Sequence, residues 1–162
     1  MTEDEAKELY AHFGLAAYRA QCVEMEAGTL LFAFIKIGNR ISQEEVAKAI
    51  DASIERETFG RLLKVIKEVV DFEDSGLKAV DDALKNRNYL AHHFFRVHAF
   101  DMLSAEGREK MIEELEVICG SFDVADALLH VVTLAILKST GISEEELQAL
   151  IQKEMKTTEL NK

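Results

Sequence analysis

The stretch EDEAKELYAHFGLAAYRAQCVEMEAGTLLFAFIKI, residues 3–37, decides the fold class. Leu9, Phe13, Ala16, Ala20, Val23, Ala27, Leu31 and Phe34 recur in steps of three and four. A helix turns about 100° per residue, so such steps return each side chain to the same side. The pattern therefore predicts one long amphipathic helix, with Gly14 and Gly28 as its weak points and Gly38-Asn39 as its stop. The chain has no proline in 162 residues, so the strongest helix breaker is missing throughout.

The same period continues to both sides of every turn signal. Ser42-Gln43-Glu44-Glu45 is a capping box, in which a hydroxyl and a carboxylate satisfy each other's first-turn amides, and it predicts the start of a second helix. Asp51-Ala52-Ser53 is expected to interrupt it. A third helix is expected over 57–70, a polar turn at Glu73-Asp74-Ser75-Gly76, and a fourth helix over 77–102. Ser104 is placed to cap a helix over 105–139, with an interruption expected near Gly120. Gly141 suits a C-terminal cap, and Ser143-Glu144-Glu145-Glu146 is a second capping box that opens the last helix. The tail from about 157 is polar and expected to fray. No strand pattern or repeat interrupts this reading. The expectation is one all-α domain over 1–162, an up-and-down bundle of five or six helices with short connections.

Composition narrows the function classes. Nineteen Lys and Arg face thirty Asp and Glu, for a formal net charge of −11. The thirds 1–54, 55–108 and 109–162 carry −4, −1 and −6. A body this acidic is a poor general binder of polyanions, so any handling of nucleic acid falls to a local site in the middle third. The acidic N-terminus does not read as a secretory signal. Two cysteines, Cys22 and Cys119, read as reduced core thiols of a cytoplasmic protein. The longest apolar runs, 29–35 and 127–137, are shorter than the roughly 18 residues of a membrane span, so no membrane partner is expected. The second run is expected to be a buried helix.

The helix over 77–102 carries the informative chemistry. Residues 83–100 contain no Asp or Glu, but hold Lys85, Arg87, His92, His93, Arg96 and His98. Placed at about 100° per residue, Val80, Ala83, Leu84, Leu90, Ala91, Phe94 and Val97 form the apolar face. Lys85, Asn88, Tyr89, His92, His93 and Arg96 fall on the polar side. Arg87 breaks the pattern, because it sits on the apolar stripe between Leu84 and Ala91. A guanidinium cannot neutralise itself, so there it is either paired or left wet. One reading is an ion pair, with Glu24 beside the stripe of the first helix as the candidate partner. The other is a cleft in which Arg87 waits for an anion.

Arg87-Asn88-Tyr89-Leu90-Ala91-His92 resembles the signature of the HEPN superfamily, an Arg followed by four to six residues and a His, often with Asn directly after the Arg. The motif covers six residues, and the expected helical architecture is compatible over most of the chain. The resemblance implies a HEPN-like fold and a metal-independent endoribonuclease acting as a homodimer. Two motif copies would meet across a cleft, and the RNA 2′-hydroxyl would attack the adjacent phosphate to leave a 2′,3′-cyclic phosphate. It assigns His92 as general acid or base, Arg87 as the stabiliser of transition-state charge and Asn88 as the residue that orients the imidazole or binds phosphate. Lys85, Tyr89 and Arg96 are the expected substrate contacts, by charge or stacking. No cofactor is expected. A dimer also meets a geometric need, since Arg87 and His92 lie about 140° apart on one helix. A toxin or defence role with a cognate antitoxin is typical of such proteins. In toxins paired with a nucleotidyltransferase-type antitoxin a Tyr stands two residues after the motif His; here that position is Phe94.

The rival reading is a non-catalytic helical interaction module, or a binder of a small anion at Arg87. An Arg87 locked to Glu24, with His92 alone in bulk water, favours that rival. His98 and Asp101, one turn apart, are a possible pair of metal ligands, but no full ligand set is recognisable and no metal is expected. His12 and His130 are expected in the core.

Overall fold

A computed structural model describes residues 3–38 and 59–160. Among them are six α-helices and no strand: α1 Glu3–Gly38, α2 Phe59–Val69, α3 Asp74–His92, α4 Phe94–Val97, α5 Ala105–Thr140 and α6 Glu144–Leu160. A 3-10 turn, Asp101–Leu103, precedes α5. The all-α bundle of five or six helices is thus observed. The first capping box, the second helix and its interruption lie outside the described residues. The chain divides into two compact units, Met1–Glu24 with Asp71–Ala127, and Met25–Val70 with Leu128–Lys162.

The first unit positions the motif. Arg108 Nη2 lies 2.8 Å from Glu5, and Arg19 pairs with Asp123. The two pairs have nearly equal offsets in numbering, so α1 and α5 run side by side in the same direction here. Arg87 meets Glu24 while Phe94 meets Phe13, so α3 and α4 run opposite to α1. The result is an up-down-up arrangement. Its core follows from the helical stripes: Leu9, Ala16, Ala20 and Val23 from α1, Val80, Ala83, Leu90 and Phe94 from α3 and α4, and Met111, Leu115, Ile118, Phe122 and Ala125 from α5, all buried. Each large side chain removed from water in this way contributes about 1.5–3 kcal/mol.

The second unit takes Ala27, Leu30, Leu31 and Ala33 from α1, Phe59, Leu63 and Ile66 from α2, Leu129, Thr133 and Leu137 from α5, and Leu147 from α6. Glu26 Oε1 accepts a 3.0 Å bond from Thr133 and lies 3.4 Å from His130 Nδ1. Its tightest corner is the α5–α6 turn. Gly141 has φ +74°, a conformation that costs other residues steric strain. It lets Ile142 N–H return 3.3 Å to the Leu137 carbonyl, while Ile142 packs on the cluster of Ala33, Leu137 and Leu147. Ser143 and Glu146 then exchange both capping-box bonds, at 2.9 and 3.2 Å.

Several expectations are corrected. α1 passes Gly14 and Gly28, and α5 passes Gly120, without a break. Internal hydrogen bonds and flanking core residues hold these turns, and an isolated glycine costs only about 1 kcal/mol. The expected turn at 73–76 is the start of α3, with Glu73 as N-cap and its carbonyl accepting from Leu77. α6 continues past 157 to Leu160. The fourth helix does not run to 102. It ends at His92, where His93 turns to φ −130°. The break lets Phe94 bury completely and carries Val97 outward to 58% exposure; Ala91 is exposed as well. Nor is the run 127–137 a buried helix. Val131, on the side of α5 opposite the Leu129–Thr133–Leu137 stripe, is 62% exposed, and His130, which flanks that stripe beside Glu26, is exposed rather than core. α5 holds an 18-residue window of mean hydropathy 1.6 of which 28% is buried, and by length and composition alone it could cross a membrane. His12 and both cysteines are half-buried.

Candidate functional site

The motif occupies the last two turns of α3. Arg87 Nε donates to Glu24 Oε1 at 2.7 Å, with side chains 25% and 29% exposed. Arg87 Nη1 donates to Asn88 Oδ1 at 3.2 Å. The ion-pair reading of the Arg87 position is therefore what the geometry gives. These two contacts use two of the five N–H donors of the guanidinium, one on Nε and one on Nη1. Asn86 beside it donates to Ser121 Oγ at 2.7 Å, which ties this part of α3 to α5.

His92, the last residue of α3, is exposed. Its ring stands 6.2 Å from that of His93, centroid to centroid. Arg96 Nη2 lies 2.8 Å from His93 Nδ1. Because a guanidinium only donates, Nδ1 is the acceptor and the His93 proton sits on Nε2, pointing away from Arg96. Among the described residues Arg96 has no carboxylate partner, in contrast to Arg19, Arg87 and Arg108. The break at His93 thus gathers His92, His93 and Arg96 on an exposed corner.

The other expected contacts are placed differently. Lys85 is exposed and lies 3.7 Å from Asp82. Asp82 also binds Lys78, whose hydrogen bond holds its carboxyl below the usual range. Tyr89 is half-buried and its hydroxyl is turned inward, 3.1 Å from His98 Nε2. Burial, reinforced by the neighbouring Glu114, pushes this phenol up to about 12.

His98 follows Phe94 by four residues and so continues the apolar stripe. It is buried, with Nδ1 2.7 Å from Asp101 and Nε2 2.9 Å from Glu114. Its ring also lies 4.8 Å from that of Phe94. The His98–Asp101 spacing was visible in the sequence, but Glu114 on α5 was not. With a carboxylate on each ring nitrogen, His98 is a structural tie rather than an open ligand. Among the described residues no group of three or more His, Cys, Asp or Glu is placed to hold a metal ion. The tie is braced by Arg108, which donates 3.0 Å to the Met102 carbonyl, and by Ser104, whose hydroxyl caps Gly107 N–H at 3.0 Å.

A concavity of the same unit, about 340 Å³, lies between α1 and α5 and is lined by Leu15, Tyr18, Cys22, Phe122 and the Arg19–Asp123 pair. It contains no motif residue. Burial pushes the Cys119 thiol up, away from the thiolate form that a nucleophile needs. The chain matches no protein-family model, no curated protein and no solved structure.

Proposed function

We propose that the chain is a HEPN-like endoribonuclease that works without a metal and as a homodimer. The observation that carries the reading is His92: an exposed imidazole on a corner shared with His93 and Arg96, one turn beyond an arginine held rigidly by Glu24 and Asn88. Imidazole is suited to accept a proton from a ribose 2′-hydroxyl and to return one to the leaving 5′-oxygen near neutral pH. In this reading His92 does that work, Arg87 offers donors not used by Glu24 or Asn88 to the phosphate and Asn88 holds the guanidinium. Arg87 and His92 project in different directions from α3, so a second copy related by two-fold symmetry completes the site. The toxin role and an antitoxin partner belong to the same proposal through the motif's resemblance.

The Arg87–Glu24 pair favours a second reading, a non-catalytic interaction module in which Arg87 serves the fold. The two separate in one experiment. Purified protein is incubated with RNA in EDTA beside His92→Ala and Arg87→Ala, with folding and mass checked on the same samples. The ribonuclease reading expects 2′,3′-cyclic phosphate ends from the wild type and none from folded His92→Ala, whose exposed side chain is dispensable to packing. Wild-type protein that leaves RNA intact, or a His92→Ala variant that cleaves as well, overturns it in favour of the module.

A further inference from the structure

The chain beyond His92 presents an unused surface. From His93 to Ser104 the backbone is a run of tight turns: Val97 N–H returns to His93, His98 to Phe94, Met102 to His98 and Leu103 to Phe100. Steps of three and four therefore put alternate sets on opposite sides. Phe94 and His98 turn inward and are buried. His93, Arg96 and Phe100 turn outward, and Phe100 is 85% exposed. Val97 and Leu103, 58% and 77% exposed, flank them.

The electrostatics of this corner run against those of the protein. The net charge is −11, yet residues 83–100 contain no carboxylate. The nearest following one, Asp101, is 46% exposed and is engaged by His98 Nδ1 at 2.7 Å. Arg96 has donors left over among the described residues, because its contact is with His93 Nδ1, and the other nitrogen of His93, Nε2, is left to donate. Two N–H donors on a stretch of chain without carboxylates suit a phosphate. An exposed aromatic ring one turn away suits the face of a base, which stacks with little regard to sequence.

We propose that His93, Arg96 and Phe100 form a binding contact for single-stranded RNA, with a phosphate on Arg96 and His93 Nε2 and the adjoining base stacked on Phe100. The choice of RNA rests on the ribonuclease reading of His92, the neighbour of this corner. The contact makes Phe100, rather than the inward-turned Tyr89, the stacking residue.

The test separates binding from cleavage. A fluorescent 2′-O-methyl oligouridine lacks the attacking hydroxyl and cannot be cut by the proposed route, so its anisotropy reports binding alone. Stacking lost in Phe100→Ala is expected to weaken binding about tenfold. Arg96→Gln is expected to weaken it as well and to reduce the slope of log K against log salt by about 0.7, one released counterion. Both side chains are exposed, so both variants are expected to fold, and circular dichroism with light scattering checks this. No binding by the wild type, or binding unchanged in both variants, overturns the proposal. Phe100→Ala that breaks a dimer but leaves oligonucleotide binding intact also overturns it and makes the corner a protein interface. Binding that depends on Phe100 and Arg96, without cleavage of ordinary RNA, upholds the contact and rejects the ribonuclease reading. Cleavage with binding indifferent to Phe100 and Arg96 does the reverse.

Discussion

Replacing Arg87 and Glu24 singly and together tests whether the motif arginine is bound to the fold. At 2.7 Å, two unit charges in an effective dielectric of about 20 attract by roughly 6 kcal/mol before desolvation is counted. Both side chains are about a quarter exposed, so water screens the pair and much of that attraction is offset. What remains is a hydrogen bond between charged groups, worth about 1.5–3 kcal/mol net. Arg87→Ala also leaves Glu24 half-buried and unpaired and removes the packed stem of the arginine. The expected loss is about 2–3 kcal/mol, below the roughly 3–5 kcal/mol of a fully buried broken pair. Glu24→Ala is expected to cost a similar amount, because it strands the guanidinium. The double variant is expected to cost about 2 kcal/mol less than the sum of the singles, and this difference is the coupling. Urea unfolding of the four proteins, compared at equal m-value, measures it. A coupling below about 0.5 kcal/mol would refute the reasoning. It would mean that Glu24 does not hold Arg87 in solution and that the whole guanidinium is open to an anion.

Other outcomes follow from the same geometry. The Tyr89 phenol is raised in the folded state from 10.0 to about 12, so its contribution is fully present below pH 10 and is lost as pH rises toward 12. Ring-carbon NMR of Tyr89 should show a midpoint well above that of an exposed tyrosine, and Tyr89→Phe should flatten this part of the stability profile. A Cβ at position 107 would run into the backbone of Asp101, so Gly107→Ala should cost about 1–3 kcal/mol in thermal or urea unfolding and disturb the NMR signals of His98. Ser143→Ala removes the acceptor at Glu146 N–H and should lower stability by about 1 kcal/mol, with Ser143→Asp restoring most of it.

These predictions divide by the range of the interactions behind them. The helical class, the capping box at Ser143, the cap at Ser104 and the αL glycine at 141 were legible because each depends on residues within a turn or two. The amphipathic stripes of α1 and α3 named most of the core for the same reason. They also marked Arg87 as a cation out of place and Glu24 as its candidate partner, since Arg87 lies on one stripe and Glu24 flanks the other. What the stripes lacked was the end of α3. No glycine or proline marks the break at His93. It follows from burying Phe94 against Phe13 and Phe95 and from drawing His98 between Asp101 and Glu114, and Phe13 and Glu114 come from two other helices.

The candidate site divides in the same way. By itself the sequence determined that Arg87, Asn88 and His92 share one helix in a stretch without acids, because composition and a 3.6-residue repeat are local properties. Only the tertiary structure decided which of them reach solvent. It turned Tyr89 inward, tied down His98 and set His93, Arg96 and Phe100 on an open corner. It likewise left Val117, Val124 and Val131 of α5 exposed although they are apolar. A helical wheel gives the direction of each side chain relative to its own axis. Whether that direction meets a neighbour or water depends on where the other helices lie, and that is set by packing between residues far apart in the chain.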